Sequence, residues 1–351
     1  MINLNNIINK DPYSFKSTKK KKFFLNEQKI ITSHHNKNCS KYKKIINGKD
    51  ISKISSIKDL PYLSVNLFKQ INLCSVKKSE RFKTLTSSGT SGEKSEIILD
   101  KKTASLQQEA LLKISKNFLG NDRLPMIIVD NEKILSNKKL FSARGAAILG
   151  FSIFGKEKCF ILNEKLELDK KKLDLFVKKY QNSKFLIFGF TYQIWKYLIN
   201  NKKKINIKNK SIVLHGGGWK KMQDVSVNNS IFKKKLKEII NTESVINYYG
   251  MVEQVGSIFM ECNHGYFHCS NLSDIIIRNE NFDVVPNGNS GIIQMLSILP
   301  WSYPGQSILT EDIGIIHGED DCKCGRYGKY FSIMGRIPKS EIRGCSDTEI
   351  S

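Results

Sequence analysis

The sequence predicts an α/β fold with a mostly parallel sheet, a helical N-terminal region and a smaller β-rich C-terminal subdomain. Three observations predict it. Residues 156–250 alternate between helical and strand patterns. Residues 1–80 are basic, helical in pattern and almost free of turn punctuation until Gly48. Beyond about residue 255, short β-like runs are separated by Gly, Pro and Asn. With 351 residues, 40% of them hydrophobic, the chain can bury a real core in one large or two ordinary domains. The expected division is 1–80, a helical N-terminal region; 81–254, the α/β core; 255–335, the β-rich subdomain; and 336–351, a short tail.

In chain order, the N-terminal region reads as a helical cover, and Asp59-Leu60-Pro61-Tyr62 marks the entry to the next element. His34 and His35 fall in a polar stretch read as a loop, without a role. A helix is predicted over 102–119, because Leu106, Ala110, Leu111, Ile114 and Phe118 recur at three- and four-residue steps. Residues 125–130 read as a buried strand ending in an acid. Helices at 169–180, 192–200 and 230–240 then alternate with strands at 184–189, 211–216 and 244–249. The β-like runs of the last part are 275–278, 291–295 and 307–309.

The net charge of +24 does not by itself point to nucleic acid. The lysines are spread throughout and travel with Asn and Ile, as an AT-rich codon bias would give. The runs at 19–22, 170–172, 202–204 and 233–235 sit at helical spacing beside apolar residues and read as solvated helix faces. No RNA-recognition or helix-turn-helix signature occurs, so no nucleic acid partner is expected. The eight cysteines are scattered and the N-terminus lacks an apolar signal core, so free thiols or metal ligands are expected rather than disulfides. The most apolar windows, 145–155 and 292–301, fall short of the ~18 residues of a membrane span. A soluble cytoplasmic protein is expected.

The stretch 84–100, T-L-T-S-S-G-T-S-G-E-K-S-E-I-I-L-D, gathers Ser/Thr hydroxyls, two glycines and a lysine before an apolar run. Glycine lets backbone approach a ligand closely, and turn N–H groups with hydroxyls form an anion-binding concavity. The reading is a phosphate cradle; a flexible Ser/Gly hairpin is the alternative. It is not a Walker A loop, because Gly92 is followed by Glu93. Ligands of parallel sheets sit at the carboxyl ends of strands. Two glycine-bearing segments fall there: His215-Gly216-Gly217-Gly218-Trp219 and Tyr248-Tyr249-Gly250-Met251-Val252-Glu253.

With L-T-E-D-I-G at 309–314 and G-R-I-P-K at 335–339, these segments stand in an order that resembles the adenylate-forming superfamily of acyl- and aryl-activating enzymes. The resemblance implies that Ser88, Gly89, Thr90, Ser91 and Gly92 contact ATP phosphates. Gly216, Gly217 and Gly218 would line the adenine, with Tyr249 and Gly250 in the same nucleotide site. Glu253 would hold Mg²⁺, while Asp312 and Arg336 would hold the ribose. Taken singly, Glu253 could be a helix N-terminal acid and Asp312 an ordinary turn acid. Such chemistry needs positioning and charge neutralisation, which donors, Mg²⁺ and cations supply.

At finer grain S-S-G-T-S-G, L-H-G-G-G-W-K-K, Y-Y-G-M-V-E-Q and E-I-R-G-C-S-D-T resemble the acyl-protein synthetase family of bacterial bioluminescence, from about residue 60 to the end. That resemblance implies activation of a long-chain fatty acid as acyl-AMP, self-acylation of a cysteine near the C-terminus, and transfer to a partner acyl reductase. Cys345 is the only cysteine in the last 25 residues, with Gly344 before it and Arg343 two residues away. Both features help a thiolate reach an activated acyl group; an inert surface cysteine is the alternative. The wider superfamily carries a mobile C-terminal domain with a catalytic lysine, whereas fifteen residues follow Arg336 here, so that domain is expected to be absent. Lys94, Lys220, Lys221 and Lys339 are the unranked substitutes.

A second cluster, Cys262, His268, Cys322 and Cys324, suits tetrahedral Zn²⁺ as a structural Cys₃His set, or else holds reduced buried cysteines. The phenylacetate–CoA ligase branch carries a similar pattern. His215 either orients the substrate or is a hydrogen-bonded histidine at a strand end. Rival readings are an acyl- or aryl-CoA ligase lacking its mobile domain, and a non-catalytic adenylate-binding subunit.

Overall fold

The structure, a computed structural model, describes residues 4–87, 94–136, 140–201, 207–219 and 227–337. In chain order the helices are α1 (Leu4–Ile8), α2 (Ser17–Asn38), α3 (Ser40–Ile45), α4 (Leu67–Gln70), α5 (Lys101–Leu119), α6 (Ala143–Phe151), α7 (Lys170–Lys179), α8 (Thr191–Ile194) and α9 (Asn229–Ile239). The strands are β1 (Leu63–Ser64), β2 (Arg81–Thr86), β3 (Glu96–Asp100), β4 (Leu124–Ile128), β5 (Leu140–Ser142), β6 (Gly155–Phe160), β7 (Phe185–Phe190), β8 (Ile207–Gly216) and β9 (Ile240–Tyr249). They continue with β10 (Phe259–Glu261), β11 (Phe267–His268), β12 (Ser273–Arg278), β13 (Ser290–Ser297), β14 (Ser307–Glu319) and β15 (Lys329–Arg336). The chain forms two compact units: one from residues 4–87, 94–118 and 250–337, the other from the described part of 119–249.

The 119–249 unit is a parallel sheet in the order β9-β8-β7-β4-β6. β7 reads F-L-I-F-G-F and all six residues are buried, as expected of a strand covered on both faces. α7 packs on β6 and α9 on β9. Asp169 starts α7 by accepting from the Lys172 backbone, and Asn228 starts α9 by accepting from Ile231. The chain passes from β4 outward to β6, then returns through β7 and β8 to β9, so the strand order reverses between β4 and β7. Ligands of open α/β sheets bind at such a reversal. There Gly189 lies so close to Val129 and Ile194 that an added Cβ would sit 2.9 Å from Val129 Cβ. The helix expected at 192–200 is present as α8 followed by a π-helical turn, Trp195–Ile199.

The other unit is built on an antiparallel sheet, β12-β13-β14-β15-β11-β10, with β1 added parallel to β14. The three short β runs expected there are the end of β12, the middle of β13 and the beginning of β14. α2 buries Phe23, Phe24, Glu27, Gln28, Ile31, Thr32 and His35 at three- and four-residue steps. Polar groups anchor it: Gln28 Nε2 donates to Ser297 O at 2.9 Å.

Two readings of this region are corrected. His34 and His35 lie within α2, not in a loop. His35 is fully buried between Ser75 Oγ (2.8 Å) and Pro300 O (2.9 Å). A carbonyl only accepts, so Nε2 carries the proton and Nδ1 accepts from Ser75. Likewise Lys20, in a run read as a solvated face, is only 2% exposed. Its charge acts on Asp274, which is buried and paired with Lys329 at 2.9 Å. Burial pushes the Asp274 carboxyl up, but Lys329 and Lys20 outweigh it and hold it below its ordinary value. The helical period shows which face is apolar; it does not show that a carboxylate waits beneath it.

Buried histidines set a pH dependence. Burial lowers His35 well below its ordinary value, with His34 adding to the effect; burial, then Lys233, lowers His215 to about 3. The unfolded chain therefore binds more protons than the folded one below about pH 6.5. Stability is complete above that pH and falls as the pH drops, by about 1.4 kcal/mol per unit for each such histidine. Urea unfolding at pH 7.5 and 5.5 is expected to show a loss of about 3 kcal/mol from the pair, and an unchanged midpoint would contradict their burial as neutral groups.

Candidate functional site

Ser88, Gly89, Thr90, Ser91 and Gly92 lie outside the described residues, as do Cys345, Lys220, Lys221 and Lys339. The loop's neck is described. β2 and β3 form its antiparallel stem, and Ser87 N donates to Ser95 O (3.1 Å) while Ser95 N donates to Ser87 Oγ (2.8 Å). Directly after the stem, Asp100 Oδ1 accepts from Thr103 N at 2.8 Å and so starts α5.

Glu253 sits on a 3₁₀ turn, Val252–Gln254, and is 5% exposed. Burial raises its carboxyl above the ordinary range; the Ser95 hydroxyl, Lys69 and Arg336 oppose that shift. Two polar atoms here are buried without a hydrogen bond of ordinary length: Ser95 Oγ, whose hydroxyl acts on Glu253, and Oε1 of the adjacent Gln254. Gly256, at φ 85°, brings the backbone against Gln107, where a Cβ would lie 2.9 Å from Gln107 Cα. Native interiors rarely leave buried polar groups unpaired, and a ligand is one explanation. A carboxylate with neighbouring amide and hydroxyl oxygens is a hard-oxygen donor set, which fits Mg²⁺.

Asp312 and Arg336 face each other across the β14–β15 ladder, with Arg336 Nε donating to Asp312 Oδ1 at 3.1 Å. Their separation of 24 residues hides a direct cross-strand pair. Asp312 N is also held by Thr310 Oγ1 at 3.1 Å. Sequence reasoning missed Lys69, on α4. Val65 N donates to Leu309 O and Asn66 Nδ2 donates to Glu311 Oε1 (2.7 Å), which seats α4 on the segment leading to Asp312. Lys69 Nζ donates to Asn66 Oδ1 at 3.0 Å, and its charge lowers Glu253. No local pattern marks this lysine; only the β1–β14 pairing brings it here. Among the described residues, no hydrogen bond or ion pair singles out Lys94.

In the 119–249 unit, His215 ends β8 and is 1% exposed, with its ring 4.6 Å from that of Phe232. Its Nδ1 lies 3.0 Å from Thr191 Oγ1, which is also 2.9 Å from Gly217 O. The threonine has one proton, and the carbonyl can only accept it. Nδ1 therefore carries the imidazole proton and donates to Thr191, leaving Nε2 as a bare acceptor without a hydrogen bond. Gly216 is packed against the Tyr248 ring, where any Cβ would overlap. Gly217 takes φ 73°, and Gly218 and Tyr249 continue the two segments. Gly250, in the other unit, has Ile258 at contact distance from a Cβ position.

The third cluster is the most clearly converged. Cys262, His268, Cys322 and Cys324 offer ligand atoms that all lie within 4.8 Å of one another. Two of these cysteines open Cys-x-x-Gly turns: Gly265 N donates to Cys262 O and Gly325 N to Cys322 O, both at 2.9 Å. The glycines take φ 83° and 81°, a left-handed conformation that side-chain-bearing residues avoid. His268 Nε2 lies 3.3 Å from Cys324 Sγ, so Nε2 faces the cluster. Burial pushes the Cys324 thiol up, but hydrogen bonds from Arg326 and Cys322 outweigh it and hold the thiol below its ordinary range. Arg326 also donates to Asn117 Oδ1 (2.8 Å) and covers the Phe118 ring (3.9 Å), tying the second turn to the end of α5.

The family described as acyl-protein synthetase, LuxE, matches residues 2–350. A long-chain-fatty-acid–luciferin-component ligase of Vibrio harveyi is 22% identical over 350 residues, covering 92% of this chain and 88% of that protein. Its counterpart in Aliivibrio fischeri is 22% identical, covering 85% and 82%. The structure of 2-hydroxyisobutyryl-CoA ligase in an open conformation, with 2-HIB-AMP and CoA, is similar at a TM-score of 0.69 and 14% identity, covering 93% of this chain and 77% of that one. That likeness shows the fold. The family match spans nearly the whole sequence, and the chain belongs to the LuxE acyl-protein synthetase family of ligases.

Proposed function

We propose that the chain activates a long-chain fatty acid with ATP, carries the acyl group on Cys345, and delivers it to a partner acyl reductase that makes an aldehyde for bioluminescence. The observation that carries the activation step is Glu253: a buried carboxylate with the Ser95 hydroxyl and the Gln254 amide oxygen, beside the neck of the Ser/Thr/Gly loop. The names of the related ligases support the fatty acid as substrate class.

In the first step a carboxylate oxygen attacks the α-phosphorus of ATP, and the bond to pyrophosphate breaks, leaving acyl-AMP. In the second, the Cys345 sulfur, its proton lost to solvent, attacks the acyl carbon; the bond to AMP breaks and a thioester remains. Mg²⁺, held by Glu253, would neutralise charge on the departing phosphates. The loop of Ser88, Gly89, Thr90, Ser91 and Gly92 would cradle those phosphates. Asp312 and Arg336 would hold the ribose, while Gly216, Gly217, Gly218, Tyr249 and Gly250 would line the nucleotide. Lys69 supplies a cation near Glu253, taking over the part for which Lys94, Lys220, Lys221 and Lys339 stood open. His215 is a positioning residue. With Nε2 deprotonated it cannot donate to a carboxylate; through Thr191 it holds the triple-glycine turn.

Zn²⁺ at Cys262, His268, Cys322 and Cys324 would be structural. It would join the two Cys-x-x-Gly turns and, through Arg326, fix them to the last turn of α5.

Incubation with ATP and labelled tetradecanoate is expected to give a hydroxylamine-labile adduct that Cys345→Ser loses, with fatty-acid-dependent pyrophosphate exchange retained. A stable adduct in that variant would remove Cys345 from the scheme. Lys69→Met is expected to slow exchange by about 100-fold, with partial recovery in Lys69→Arg; an unchanged rate would assign the cation elsewhere. Metal analysis is expected to find one zinc per chain, absent from Cys324→Ser. Its removal by chelation should lower Tm by about 5 °C or more.

A further inference from the structure

Between α1 and α2 the segment 11–16 forms neither helix nor strand, yet Tyr13 and Phe15 are each only 3% exposed. Such a stretch must find partners for its backbone elsewhere. It finds them on the two stretches that carry the Cys/His cluster.

The first is 269–272, directly after His268. Asn271 is buried there and grips the segment three times. Its N donates to Pro12 O (2.6 Å), its Nδ2 donates to Asp11 O (2.9 Å), and its Oδ1 accepts from Phe15 N (3.1 Å). The second is the loop 320–328, which holds Cys322 and Cys324 between β14 and β15. Asp320 closes that loop: its N donates to Gly328 O (3.1 Å) and its Oδ1 accepts from Gly328 N (2.7 Å). The other oxygen, Oδ2, accepts from Ser17 N at 2.7 Å, where the segment enters α2. Tyr327 N donates to Tyr13 O (3.3 Å), and the Tyr13 ring meets the His268 ring edge-on, with centroids 6.1 Å apart.

The segment therefore spans both stretches, and it can close only if they stand in one register. Little else sets that register. β11, which leads to Asn271, is two residues long and pairs with β15 at two positions. At Gly328, φ 90°, a Cβ would lie 2.8 Å from Cys269 O, so the backbones touch there without a side chain between them. Ligation by Cys262 and His268 on one side and Cys322 and Cys324 on the other would tie the two stretches together.

We propose that the segment 11–16 is a strap whose closure is linked to metal binding at the Cys/His cluster. Ligation holds 269–272 and 320–328 where the strap needs them, and the closed strap holds the four ligands in place. This linkage rests on the structural zinc read above. Asn271 and Asp320 are positioning residues, since neither belongs to the ligand set. Linkage is reciprocal: the factor by which zinc favours the closed strap is the factor by which the closed strap tightens zinc.

Hydrogen–deuterium exchange of the full chain, with zinc and after chelation, reads the strap through the amides of Tyr13, Phe15 and Ser17. Chelation is expected to speed their exchange about 10-fold or more, while amides of β12 and β13 exchange as before. Two variants keep all four ligands and act from the other side. Asn271→Ala removes both side-chain bonds to the strap. Asp11→Ala, at an exposed position that leaves the core intact, removes the bonds to Tyr13 N (2.8 Å) and Asn117 Nδ2 (3.0 Å). Each is expected still to bind zinc, with an affinity about 10-fold lower in competition with a chelator. Equal exchange of the strap amides in zinc-loaded and zinc-free chains overturns the linkage and leaves the structural zinc standing. So does a strap opened by both variants at unchanged zinc affinity, or a loss of protection after chelation that is as large in β12 and β13. Metal analysis that finds no zinc, even after titration with zinc, removes the metal reading and the linkage together.

Discussion

A carboxylate kept out of water governs this structure. Glu253 is buried on a short 3₁₀ turn, and burial alone drives its carboxyl toward protonation. The surroundings work against that drive with the Ser95 hydroxyl and with charge from Lys69 and Arg336. Partial compensation is informative. Full pairing would make an inert ion pair, whereas a buried carboxylate with only distant cations favours the arrival of a positive ligand. Several features of the fold have this residue as their common point: the hydrogen-bonded neck of the Ser/Thr/Gly loop, the addition of β1 to β14 that carries α4, and the Gly256 contact with α5.

Hydrogen-bond accounting also fixes the form of His215: Thr191 sets its tautomer, with the proton on Nδ1, and burial keeps the ring neutral. It serves the turn by shape: the Tyr248 ring occupies the space a side chain at residue 216 would need, and Thr191 holds the following carbonyls. At the Cys/His cluster the geometry is equally specific, because two left-handed glycines let the flanking turns close.

Much of the fold was legible in the sequence because it rests on local periodicity. The helix at 101–119, the all-apolar β7 and the alternation through 249 follow from spacing alone. The caps Asp169 and Asn228 lie where helix starts are expected. Errors came where a long-range partner overrode the local pattern. Lys20 belongs to a lysine run yet is buried, its charge felt by Asp274 some 250 residues away in sequence. His35 sits in a polar stretch yet bridges Ser75 and Pro300. Strand ends were also misjudged, since β14 runs on through glycines and bulges that read as breaks.

The sequence by itself determined the succession of elements, the family, and the segments from which a site could be assembled, because spacing and motif order are properties of neighbouring residues. Only the tertiary structure decided that Asp312 and Arg336 are direct cross-strand partners, that Lys69, from outside the recognised motifs, joins Arg336 among the charges acting on Glu253, and that the sulfur and nitrogen atoms of Cys262, His268, Cys322 and Cys324 converge within 4.8 Å. The reason is physical. Periodicity reports which face of an element avoids water, whereas ion pairing, desolvation and ligand convergence depend on which distant segment arrives at that face.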